Sequence, residues 1–164
     1  MQKDYLRELG FLALASRMKR VSDEMIHSGR DMYKSLEVDI EPNWYMIFLL
    51  LKEEKELSVM EIAKRLRLSH PSIIAIIEKM AKKGYLKSRK CDMDGRSQKW
   101  SLTARSIKAL PDFERIWESG TLGLEFLMGK TDLLDLLNQL EDGLENNSFK
   151  ERTLERLESA YTNE

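Results

Sequence analysis

Residues 58–103, SVMEIAKRLRLSHPSIIAIIEKMAKKGYLKSRKCDMDGRSQKWSLT, decide the fold. Ser58 followed three residues later by Glu61 is a helix-start signature, and Ile62, Leu66 and Leu68 supply the apolar face of a short amphipathic helix. A second helix is predicted from about Ser69. It carries Pro71 in its first turn, where the missing N–H costs nothing, and stops on Gly84. Two short helices joined by a tight turn match a helix-turn-helix. After Gly84 the period changes. YLKSRKC and SQKWSLT alternate apolar and polar residues as strands do, and Asp94-Gly95 between them is a hairpin turn signal. The whole stretch therefore reads as a winged helix.

Charge points the same way. From Lys64 to Lys108 there are thirteen Lys and Arg residues against Glu78, Asp92 and Asp94, a local net of 13 − 3 = +10. The chain as a whole is −1, so the remainder sums to −11. Positive charge gathered on one contiguous segment is the footprint of a polyanion binder, which the near-neutral total conceals.

These residues resemble the MarR (multiple antibiotic resistance regulator) family of bacterial transcription regulators. Asp94-Gly95-Arg96, five residues, then Leu102-Thr103 follow that family's D-x-R…L-T wing pattern, and IAKRLRLSHPSIIAIIEKMAKKGYL has its helix-turn-helix layout. The expected fold class is mainly α with a small β-hairpin wing, a winged helix-turn-helix flanked by long dimerisation helices. The expected organisation is an N-terminal dimerisation helix over 1–38, a DNA-binding region over 39–103, and C-terminal dimerisation helices over 104–164.

Outside the core stretch, Leu6, Leu9, Ala13, Leu14, Met18, Val21 and Met25 recur every three or four residues, predicting one helix from about Lys3 to Leu36 with a kink at Gly29. WYMIFLLLKEE is a strongly apolar helix after Pro42. Thr103 is placed to cap a helix to about Met128, interrupted near Leu110-Pro111 or softened by Gly120 and Gly123. Thr131 to Leu157 predicts a last helix with a break at Asn146-Asn147. Such long helices carry more apolar surface than one small winged helix covers. The stripes close either a monomeric bundle or a two-fold dimer, and the resemblance implies the homodimer, in which the terminal helices interleave.

At 164 residues, 42% hydrophobic and 34% charged, the chain is long enough to bury a core. Its longest apolar run, MIFLLL, falls well short of the ~20 residues of a membrane span, and the charged opening MQKDYLREL does not read as a signal peptide. A single cysteine excludes an internal disulfide framework and fits a cytoplasmic protein. His27 and His70 lie far apart with no ligand cluster beside them, and no phosphate loop or nucleophile elbow is present. Neither a metal, a cofactor nor an enzyme activity is expected.

The expected partner is double-stranded DNA. A two-fold dimer offers two recognition helices to successive major grooves about 34 Å apart, which predicts an imperfect palindrome. Ser69, His70 and Ser72 stand at the start of the recognition helix, where base edges come within reach, although His70 equally suits a solvent-exposed helix start. Lys79, Lys82 and Lys83 lie further along and suit phosphates, as do Lys64 and Arg65 on the preceding helix. The bland reading of Lys82 and Lys83 is a helix C-terminus favoured by the dipole. Arg89 and Lys99 flank the wing as backbone contacts. Arg96 at its tip is a minor-groove probe, with Asp94 and Gly95 shaping the turn.

The chain departs from the family at Ile74 and Ala75, where related recognition helices often carry a hydroxyl and then an Arg or other polar residue. Whichever of the IIAII side chains points outward can meet thymine methyls but reads no donor–acceptor code. Family members commonly respond to small lipophilic or aromatic effectors, for which Trp44, Tyr45 and Phe48 are candidate pocket residues; an aromatic stripe at helical spacing is also ordinary core. Cys91 invites a redox reading, but Lys90 lowers and Asp92 raises its thiol pKa, and sensing cysteines of the family usually sit near the N-terminus. The alternative function is a winged helix used for protein contacts, which the apolar recognition helix favours and the +10 segment opposes.

Overall fold

The computed structural model describes residues 3–90 and 98–162. They fall into two compact units, one ending at Arg115 and one beginning at Ile116. In the first unit α1 (Tyr5–Glu8) leads through a 3-10 turn (Gly10–Ala13) into α2 (Leu14–Ser35). The expected single helix from Lys3 to Leu36 is thus broken near its start. Gly10 takes φ +56°, a left-handed conformation that apolar periodicity does not reveal. Gly29 lies inside an uninterrupted α2, where a Cβ would come within 3.1 Å of the Pro42 side chain, so it serves close packing.

A short 3-10 turn (Pro42–Trp44) opens α3 (Tyr45–Glu54), followed by β1 (Glu56–Ser58), α4 (Val59–Leu66) and α5 (His70–Lys82). Ser58 and Glu61 form a reciprocal capping box at α4, as the sequence predicts. α4 ends on Arg67 in the left-handed region, and Ser69 caps α5 through the Ser72 N–H. α5 ends in a Schellman arrangement. Gly84 at φ +76° donates to Ala81 O, and Tyr85 donates to Met80 O, both at 2.9 Å.

β2 (Leu86–Lys90) and β3 (Gln98–Leu102) are the predicted wing strands. β1 adds a third, giving an antiparallel sheet of order β1-β3-β2. Register puts Glu56 opposite Ser101 and Ser101 opposite Lys87, then Ser58 opposite Lys99 and Lys99 opposite Arg89. Strand alternation therefore gathers Glu56, Lys87, Arg89 and Lys99 on one face, while Leu86 and Leu102 are buried on the other.

The core gathers buried side chains from α3, α4, α5, the sheet and the start of α6 (Ala104–Met128). Trp44, Ile47, Phe48, Leu51, Ile62, Ile73, Ile77 and Met80 are almost completely buried. Tyr85 packs edge-on against Trp44 and Phe48 at 5.8 and 5.5 Å between ring centroids, with Phe113 closing the cluster. Each such side chain contributes about 1.5–3 kcal/mol by leaving water. Ser106, fully buried, donates to Tyr85 O, and Thr103 donates to Gly84 O at 2.8 Å, joining the start of α6 to the end of α5.

α6 runs without interruption through Leu110-Pro111 and through Gly120 and Gly123, contrary to the expected breaks. In the second unit, the helix expected over Thr131–Leu157 is two: α7 (Leu133–Asn146) and α8 (Phe149–Thr162). The break falls at the expected asparagines, since Asn147 turns extended, and Ser148 with Glu151 starts α8 with a second capping box. No residue whose exposure is described in this unit is buried. Phe126 is 93% exposed and Leu134 73%.

Candidate nucleic-acid interface

α5 divides its residues by helical angle. Ile73, Ile76, Ile77 and Met80 face the core, which leaves Pro71, Ser72, Ala75, Glu78, Lys79 and Lys82 exposed. Ser72, Ala75, Lys79 and Lys82 recur every three or four residues and line one outward stripe. Ile74 is half-buried at its edge, so Ala75 is the member of the IIAII run that is presented outward.

Ser69 and His70 are both exposed at the first turn of α5. The Ser69 hydroxyl accepts from the Ser72 N–H at 3.3 Å and pairs with the Ser72 hydroxyl at 2.7 Å. The two serines predicted to meet DNA therefore also cap the helix that carries them. A contact from Ser69 would have to use its remaining hydrogen-bonding capacity.

The basic residues separate into two groups. Lys64, Lys79, Lys82 and Lys87 are exposed and have no carboxylate partner among the described residues. Arg65, Lys83 and Arg89 are instead held by carboxylates from the chain just before the basic segment. Arg65 Nη2 lies 2.8 Å from Glu54 Oε1. Arg89 grips Glu56 with two nitrogens, Nε donating to Oε2 at 2.7 Å and Nη2 to Oε1. Lys83 pairs with Asp39 and lies 5.6 Å from the centre of the Trp44 ring.

The pairing with Arg89 shifts the titration of Glu56. The hydrogen bond from Arg89, then the positive charges of Arg89 and Lys99, hold the Glu56 carboxyl below its ordinary range despite some desolvation. Glu61 is also lowered, first by the Ser58 backbone N–H and then by its hydroxyl. Lys99, half-buried on β3, adds to both effects.

Arg105 donates to Lys83 O at 2.7 Å and stacks on the Tyr85 ring at 4.5 Å, fixing the C-terminal end of α5. Sequence reading passed over it, and only the helix-end position of Lys83-Gly84 hinted that the carbonyls there need donors. Glu54, Glu56 and Asp39 were likewise missed because their partners are distant in sequence. Asp94, Gly95, Arg96 and Cys91 lie outside the described residues.

The candidate effector residues are dispersed. Trp44 and Phe48 are closed in the aromatic core, at 1% and 0% exposure, while Tyr45 is about half exposed at the start of α3. A cleft of about 260 Å³ opens elsewhere in the first unit, with Leu51, Leu102, Ile107 and Leu110 as apolar walls and Lys52 and Lys55 among its polar lining. Among the described residues, no helix is long and apolar enough to cross a membrane.

A helix-turn-helix followed by an antiparallel wing, with cations on its outward faces, defines the class: a winged helix-turn-helix fold of the DNA-binding type. Residues 38–97 match the model of the MarR family. The chain has the fold of MarR-family DNA-binding transcription regulators. The chain is similar to MepR of S. aureus in its DNA complex, at 18% identity over 80% of this chain and 96% of that one, TM-score 0.67. It is also similar to overoxidized AbfR bound to DNA, at 20% identity over 85% and 97%, TM-score 0.65. The M. tuberculosis regulator MOSR in complex with DNA is similar at 13% identity over 82% and 98%, TM-score 0.68. Identities this low establish shared fold. No curated protein matches the sequence.

Proposed function

We propose that this chain is a cytoplasmic homodimeric repressor that binds a pseudo-palindromic operator. α5 enters the major groove, the wing carries Arg96 into the minor groove, and a small lipophilic or aromatic effector releases the complex. The observation that carries the DNA reading is the outward stripe of α5. Its Ser72, Lys79 and Lys82 are exposed on a helix whose opposite face is core, and Lys64 of α4 and Lys87 of β2 are exposed as well.

The dimer rests on apolar surface left uncovered in both units. Met18, Val21 and Met25 on α2 are exposed, as are Phe126, Leu127, Leu134 and Leu136 in the second unit. Exposed apolar residues in such number support an interface between two copies of the chain. The cleft beside Leu51, Leu102 and Ile107 has apolar walls suited to such an effector and is a candidate pocket in addition to Trp44, Tyr45 and Phe48.

Sequence discrimination in this reading leans on phosphates and DNA shape, because Ala75 occupies the middle of the outward stripe and offers only a methyl group. Binding to fragments from around its own gene should fall steeply with salt, with a slope near −7 if the dimer neutralises ~8 phosphates. Tight, salt-sensitive binding to one fragment over random duplex supports the repressor. No binding at low salt removes the DNA reading in favour of a protein-contact module. Arg96→Ala should weaken binding to every duplex by about 1–3 kcal/mol, and unchanged affinity in the folded variant takes the wing out of the mechanism.

A further inference from the structure

Among the described residues, Arg65, Lys83 and Arg89 of the basic segment each pair with a carboxylate from the short stretch that precedes it. Asp39 follows α2, Glu54 ends α3, and Glu56 lies on β1. Their targets are spread through the interface: Arg65 on α4, Lys83 at the end of α5 and Arg89 on β2. The side chains of Arg65, Lys83 and Arg89 remain 53%, 37% and 52% exposed. They are therefore within reach of solvent phosphates yet internally neutralised.

Exposed ion pairs do little for stability, so their effect lies in the field the protein presents. Binding to arbitrary duplex is almost wholly electrostatic and scales with the number of cations that displace counterions. A guanidinium gripped at two nitrogens by a carboxylate already has the geometry it would adopt on a phosphate. A phosphate must displace Glu56 from Arg89, and the displaced carboxylate then repels the backbone nearby.

We infer that Asp39, Glu54 and Glu56 are specificity-determining residues, built-in counterions that hold Lys83, Arg65 and Arg89 and so suppress binding to arbitrary DNA. The inference rests on the DNA-binding reading above. It concerns discrimination and not the contacts to any particular operator. Operator binding draws also on the α5 stripe and on DNA shape, so it is weakened less than random binding. The unheld lysines 64, 79, 82 and 87 supply the remaining attraction. Glu56 stays ionised well below neutral pH because Arg89 lowers its pKa, so the hold persists across ordinary conditions.

The test is a salt titration on random duplex and on the best-bound genomic fragment. It compares wild type with the triple variant Asp39→Asn/Glu54→Gln/Glu56→Gln. A control, Asp132→Asn/Asp135→Asn/Glu141→Gln, changes net charge equally within the second unit. The first variant should steepen the random-duplex slope by roughly 2–3 per protomer, raise low-salt affinity about tenfold or more, and lower the preference for the fragment; the control should track wild type. A folded triple variant matching wild type overturns the inference, as does a control that rises equally, since bulk charge would then suffice. Should the triple variant fail to fold, Glu56→Gln alone must steepen the slope by about 0.9 per protomer, and no change overturns the inference. If neither wild type nor variant binds any duplex, the DNA-binding reading itself falls.

Discussion

The chain before Arg115 and the chain after Ile116 draw on similar residues to different ends. Both contain leucine-rich amphipathic helices and both start a helix with a Ser-x-x-Glu capping box, at Ser58 and at Ser148. In the first unit the apolar faces of α3 and α5 are covered, and Phe48, Ile73 and Met80 are wholly buried. In the second, Leu133, Leu134, Leu136 and Leu144 remain exposed. Helical periodicity is the same signal in both places. It states that a face needs covering and does not state by what.

Single substitutions can break this contrast. Phe48→Ala removes the ring shared by Tyr85 and Phe113 and should cost about 3–5 kcal/mol in denaturant titration, independent of protein concentration. Leu134→Lys acts on the other unit. In the proposed dimer it should shift the species seen in sedimentation from dimer toward monomer and make the melting temperature of the variant lower at low concentration. A wild type that sediments as a monomer would erase the distinction, leaving the second unit as exposed helices with no partner.

The two capping boxes sharpen the contrast on a smaller scale. Ser58→Ala should cost about 1 kcal/mol of global stability, because α4 is tied into the core through Ile62. Ser148→Ala breaks the same motif in a unit where no described residue is buried. Its effect should appear as faster amide exchange along α8 while global unfolding changes less.

Acid should reach both boxes. The Glu61 and Glu151 carboxyls are held below their ordinary range by hydrogen bonds from Ser58 and Ser148. A lowered folded-state pKa stabilises above the unfolded value, about 4.3 for Glu, and that stability is lost as pH falls through the folded value. Thermal melts between pH 6 and pH 3 should therefore show an acid loss that Glu61→Gln reduces. An identical acid loss in that variant would take the Glu61 box out of the pH response.

Legibility follows the range of the interaction. Ser58 with Glu61, Pro71, Gly84 and the alternation on either side of Asp94-Gly95 are local features, and the helix-turn-helix and both wing strands were readable from them. β1 was not, because three residues carry no measurable period and Glu56–Ser58 is a strand only by pairing with β3. The break at Gly10 was hidden by apolar residues that keep helical spacing across it. In the interface, the exposed lysines of α5 could be placed from helical angle alone. The pairing of Arg89 with Glu56, 33 residues away, could not. Trp44 and Phe48 show the same limit, since a stripe suited to a ligand and a stripe suited to a core have one sequence pattern.

The corner at Tyr85 has a mechanical meaning. Carbonyls 83, 84 and 85 each receive a donor from residues 103–106, so the end of α5 and the first turn of α6 behave as a welded joint. A torque applied to that turn of α6 reaches the end of α5 without play. A change in the tilt of α5 must therefore be accompanied by movement of this joint or by rupture of its hydrogen bonds.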